Sequence, residues 1–137
     1  MAETLAGLGL ASNIVQFVDA GIRFLSYARE LYEEGASREN TEIEKIAADI
    51  TSITQNLALG AARDPTLQDL VVTCAHLARD LHAILQALKV DTQKNRRVEA
   101  IVKPLKRLQK IRKIKDIYDR LCKVRDQVCF HLNYLLR

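Results

Sequence analysis

The sequence predicts an all-α protein: an antiparallel four-helix bundle with a long, interrupted C-terminal segment, in a single domain spanning residues 1–137. Three observations carry that expectation. Apolar residues recur at three- and four-residue spacing along most of the chain, which is the period of a helix with one buried face. Glycines number five and prolines two, too few for the tight turns a sheet protein needs. Apolar residues make up 48% and charged residues 28%, the balance of a soluble helical domain.

The first helix is expected over residues 4–34 and contains the stretch LAGLGLASNIVQFVDAGIRFL. No charged side chain falls between Glu3 and Asp19, and three of the five glycines, Gly7, Gly9 and Gly21, lie here. Two adjacent apolar seams run along it. One is Leu8, Ala11, Val15, Val18, Ile22 and Leu25; the other is Leu10, Ile14, Phe17, Gly21, Phe24, Ala28 and Leu31. Only a narrow stripe through Asn13, Gln16, Asp19, Arg23 and Glu30 is polar. A helix this apolar must be enclosed by other helices or placed in lipid. Gly35 is its C-terminal stop.

The second helix is expected over about 38–59, capped by the Thr41–Glu44 box or starting slightly earlier at Ser37. Its seam is Ile43, Ile46, Ile50, Ile53 and Leu57, and Gly60 ends it. The third opens with DPTLQ, in which Asp64 is the N-cap, Pro65 the first helical residue and Gln68 the box partner. Its seam of Leu67, Leu70, Cys74, Leu77, Leu81, Ile84 and Leu88 never breaks the 3-4 spacing.

The last segment, 95–136, reads as helical but interrupted. Val98, Ile101, Leu105 and Leu108 hold one register; Ile114, Ile117, Leu121, Val124, Val128, Leu132 and Leu135 hold another, displaced across QKIRKI. That pattern is either a shorter fourth helix followed by a long fifth or one kinked helix, and Pro104 adds a further break or marks a late start.

Charge is divided unevenly. Residues 1–60 carry four Lys/Arg against nine Asp/Glu, a balance of −5; residues 61–137 carry seventeen against eight, a balance of +9. Ten of those cations fall within residues 94–115, where Glu99 is the only acid. Apolar residues interleave the run, which suits lipid headgroups better than a base-reading element. The absence of tryptophan and of helix-turn-helix spacing makes nucleic acid an unfavoured partner.

No catalytic constellation is legible. The chain has no G-x-x-x-x-G-K-[ST], G-x-S-x-G or H-E-x-x-H string, so it is expected to be no enzyme and to need no cofactor or metal. His76, His82 and His131 have no metal-ligand spacing, and Cys74, Cys122 and Cys129 lie in or beside apolar stripes as small hydrophobes. Three cysteines without a C-x-x-C pair fit a reducing compartment, and the acidic start MAET is unlike a secretory signal. A cytoplasmic location is expected.

Two stretches carry a resemblance. LGLASNIVQFVDAGIRFLSYARELYEEGASREN at one end, and KDIYDRLCKVRDQVCFHLNYLLR at the other with its Arg125, Gln127, Val128, His131, Leu132 string, resemble the opening and closing motifs of the HeLo-like N-terminal domain of fungal STAND proteins, the NLR-like receptors. The chain departs from that pattern in lacking the tryptophans usual in the fourth-helix region and in its less regular segment around Pro104. The resemblance implies a bundle related to the HeLo and mixed-lineage kinase-like cell-death domains. It implies an effector that oligomerises on activation, moves from the cytoplasm to the plasma membrane and permeabilises it, with a NACHT-type nucleotide switch following in cis. On that reading Leu5, Gly7, Leu8, Gly9, Leu10, Ile14, Val15, Phe17, Val18, Gly21 and Ile22 form the membrane-insertion helix. Lys103, Lys106, Arg107, Lys110, Arg112, Lys113 and Lys115 attract anionic lipid. The alternative is a non-lytic adaptor that oligomerises or recruits a separate effector. Residues 4–18 alone are shorter than the ~20 needed to span a bilayer, so spanning would require Asp19 and Arg23, one turn apart, to be paired.

Overall fold

The computed structural model describes residues 2–34, 40–59, 64–93 and 104–136. They form four helices and no strands among the described residues: α1 (Ala2–Glu34), α2 (Asn40–Leu59), α3 (Pro65–Gln93) and α4 (Pro104–Leu135). One hydrophobic cluster joins all four. Helix α1 touches each of the other three and meets α4 most extensively.

The inner seam of α1 is the middle of that cluster. Leu10, Ile14, Phe17, Phe24 and Ala28 are buried, while Val15 and Ile22 on the second seam are half-buried and pack against the core from its edge. The α3 seam is buried at every one of its seven positions, and α2 contributes Ile46, Ile50 and Leu57. Several hydroxyls fold back onto their own helices: Thr51 Oγ1 donates to the Ala47 carbonyl at 3.0 Å and Thr54 Oγ1 to that of Ile50 at 2.7 Å. Such back-bonding lets α2 carry threonines without unsatisfied groups.

The ends of the elements follow their local chemistry. Asp64 Oδ1 accepts from the Thr66 amide at 3.0 Å and the Leu67 amide at 3.4 Å, satisfying donors that a first helical turn leaves open. Helix α2 already includes Asn40 and Thr41, so Thr41 lies inside the helix and is not its cap. The earlier starts at 38 and at Ser37 lie outside the described residues, as do Gly35 and Gly60.

The expected interruption at QKIRKI is corrected. Helix α4 runs unbroken from Pro104 to Leu135, and Pro104 marks its start, where a fixed φ and a missing N–H cost nothing. Leu108 is 48% exposed and Ile111 half-buried. Leu108, read as part of a displaced register, therefore lies on an outer face of the same helix, and the side chain of Leu105 lies outside the described residues. Val98 and Ile101 lie outside the described residues.

The three α1 glycines differ. A Cβ on Gly21 would sit 2.9 Å from Leu121 Cδ1, so close that the Leu121 side chain must shift, and 3.3 Å from Leu81 Cδ1, a tight contact. A Cβ on Gly7 would make ordinary contacts, 3.5 Å from Leu135 Cδ1 and 3.6 Å from Leu67 Cδ1, and one on Gly9 would meet nothing within 4 Å. Gly21 is a packing requirement, whereas Gly9 only loosens the helix. Gly9→Ala is thus expected to stabilise the protein by roughly 0.5–1 kcal/mol in urea unfolding, the helix-propensity gain alone. Gly21→Ala gains the same propensity but forces the fully buried Leu121 aside; a net loss, within the ~1–3 kcal/mol of overpacking, is expected. Leu77→Ala, at a fully buried position, should cost about 2–5 kcal/mol.

Candidate functional site

The eleven residues of the expected insertion helix divide by environment. Gly7, Leu10, Ile14, Phe17, Val18 and Gly21 are buried; Leu8, Val15 and Ile22 are half-buried; Leu5 and Gly9 are exposed. The first turns of α1 therefore meet the rest of the protein along a narrow inward edge. By length and composition α1 is apolar enough between Leu5 and Glu33 to cross a membrane, a test that the core helix of a soluble protein also passes.

The described cations of the basic run lie along the first turns of α4. Leu135 of α4 faces Gly7 and Leu121 faces Gly21, so the start of α4 lies far from Leu5. From Arg107 to Leu135 the separation along the helix is about 40 Å at 1.5 Å per residue. Lys106, Arg107, Arg112, Lys113 and Lys115 are exposed and Lys110 is half-buried; Lys103 lies outside the described residues. The buried α4 stripe of Ile114, Ile117, Leu121, Val124 and Val128 continues backward at the same spacing through Lys110 and Arg107. Of these two, Arg107 is exposed and Lys110 half-buried. The two sets of residues expected to act on lipid are not brought together.

A pair that the sequence left apart is brought together. His131 Nε2 donates to Asp64 Oδ2 at 2.5 Å, with the two side chains only 13% and 21% exposed. Asp64 stands out in sequence only as a cap and His131 only as one letter of a motif; a spacing of 67 residues offers no local signal. Burial works to raise the Asp64 pKa, but the His131 hydrogen bond and charge, with the Leu67 and Thr66 amides, outweigh it and leave the carboxyl below its ordinary value. His131 also stacks on Tyr134, centroids 5.8 Å apart. A second α3–α4 tie, Arg120 to Asp80 at 2.9 Å, is solvent-exposed and contributes little.

The remaining reactive groups are ordinary. The Cys74 thiol is buried in the core, which pushes its pKa up to about 12 and keeps it unreactive. Cys122 is half-buried and Cys129 exposed. His82 lies on the surface near Gln86. Among the described residues no group of three or more His, Cys, Asp or Glu is placed to hold a metal. A half-open groove of about 170 Å³ lies between α2 and α3, lined by apolar Phe24, Ile50, Leu81 and Leu85 and by Thr51 and Thr54.

Compared with protein-family models, curated proteins and solved structures, the chain has no match.

The depressed Asp64 carboxyl sets an acid-side dependence. Its folded pKa lies below the ordinary value of 3.8, so the stability its charge contributes is complete above that value and is lost as pH falls through the folded one. In urea unfolding, Asp64→Asn should therefore show its largest penalty at pH 6 and a smaller one at pH 2.5. An equal penalty at both would mean that the carboxylate charge is not what matters.

Proposed function

We propose that this chain is the N-terminal effector domain of a fungal NLR-like receptor, one that kills the cell by oligomerising and permeabilising membrane through α1. The fold that goes with this reading is an antiparallel four-helix bundle. Its support is the order of the pairings. Gly7 and Gly21 face Leu67 and Leu81 of α3 in rising order and Leu135 and Leu121 of α4 in falling order. Asp64 with His131 and Asp80 with Arg120 also run in opposite order along α3 and α4.

One observation carries the membrane reading: the weak seating of the first turns of α1. They hold no charge from Glu3 to Asp19, keep Gly9 in open space, and expose 70% of Leu5. Such a segment is cheaper to release than α2 or α3, and its small residues favour close helix approach in lipid. The exposed cations of α4 then attract anionic headgroups, with the long axis of the domain along the surface so that both ends reach it. Copies of this domain assemble on activation, a NACHT-type nucleotide switch in cis controls release, and the protein passes from cytoplasm to plasma membrane. The adaptor reading has its own support: the burial of the inner seam of α1 from Leu10 to Ala28 and the fit at Gly21 are what a permanent strut requires.

Leakage from anionic vesicles separates the two. Ser12 is exposed, so Ser12→Asp leaves the folded protein unchanged, but a charge within an inserted helix costs about 2.5–3.5 kcal/mol. Loss of leakage with unchanged thermal stability is expected; undiminished leakage would favour the adaptor. Removing the charges of Lys106, Arg107, Arg112 and Lys113 should weaken vesicle binding by about 1 kcal/mol per charge, and added salt should act in the same direction. Binding that survives both would exclude the basic run as the lipid contact.

A further inference from the structure

Three contacts meet where α1 begins. Asp64 uses both carboxylate oxygens: Oδ1 accepts from the Thr66 and Leu67 amides, and Oδ2 accepts from His131. The two side chains facing Gly7 are Leu67 and Leu135. Leu67 is the residue whose amide Asp64 caps, and Leu135 lies one helical turn beyond His131. The walls of the slot that seats the first turns of α1 are thus carried by the two partners of one hydrogen bond.

We propose that the Asp64–His131 hydrogen bond is a latch: it ties the start of α3 to the last turns of α4, fixes the slot around Gly7, and so holds down the segment of α1 whose release the proposed function requires. The proposal rests on that function for its purpose but not for its geometry. Both groups are mostly withdrawn from water, where a hydrogen bond to a charged acceptor is strong and leaving a partner unsatisfied is costly. Asp80–Arg120 joins the same two helices sixteen residues further along α3, about 24 Å away at 1.5 Å per residue. Open to solvent, it is the natural control.

Amide hydrogen exchange of the full chain tests the latch. His131→Leu removes the donor at similar size; Asp64→Ser keeps a capping oxygen but loses the oxygen that His131 reaches. Both should raise exchange at residues 7–11 by about tenfold, equivalent to about 1.4 kcal/mol, while amides of residues 74–85 in α3 stay at wild-type rates. His131→Gln, which restores an N–H donor, should return exchange toward wild type, and Arg120→Ala should leave residues 7–11 unchanged. Unaltered exchange at 7–11 in folded His131→Leu and Asp64→Ser, or equal acceleration in all four helices, would overturn the latch. Vesicle leakage on the same variants separates the two claims. Faster exchange with greater leakage supports both; faster exchange with no leakage from any variant keeps the latch and overturns release as the function.

Discussion

The contact on which the rest of the structure depends is the close approach of α1, α3 and α4 at Gly21. Leu121 and Leu81 reach into the space that a side chain at this position would occupy. Around it Phe17, Phe24, Leu77, Leu121 and Val124 are almost completely withdrawn from solvent. A glycine here gives up helix propensity and permits dense packing, and dense packing is where the dispersion and hydrophobic gains of a small core are concentrated. Helix α1 is therefore firmly anchored at its middle, whatever happens at its ends.

That anchoring makes the two ends of α1 physically unlike its centre. Toward the N-terminus the contacts narrow to an inward edge, with Gly9 in open space and Leu5 in solvent. Stability in such a helix is graded: the first turns can open without disturbing Gly21, in the way that terminal segments open ahead of the global transition. A graded helix reconciles two demands that conflict in a uniform one, namely holding the core together and offering the segment whose release the proposed function requires.

The uneven charge acquires a structural meaning from the same arrangement. The buried stripe of α4 ends at Ile114, and the positions that continue its spacing toward the start of the helix are Lys110 and Arg107. Lys110 is half-buried. Lys106, Arg107, Arg112, Lys113 and Lys115 remain on the surface. Their field reaches outward about 8 Å at physiological salt.

By itself the sequence determined what periodicity and local chemistry encode. The 3-4 seams placed α3 wholly and α1 largely, because a helix buries a residue every three or four positions whatever it packs against. Asp64 and Pro65 marked the start of α3, because capping is satisfied within a few residues. Tertiary structure decided the rest. Leu108 resembled part of a second seam because an apolar residue on an outer face shares the helical period of buried ones, and only neighbouring helices distinguish the two faces. Gly9 and Gly21 are identical letters with opposite roles, since the difference lies in whether Leu121 and Leu81 stand opposite. The Asp64–His131 contact spans 67 residues and leaves no trace in local spacing, because it forms only when packing brings the start of α3 to the end of α4.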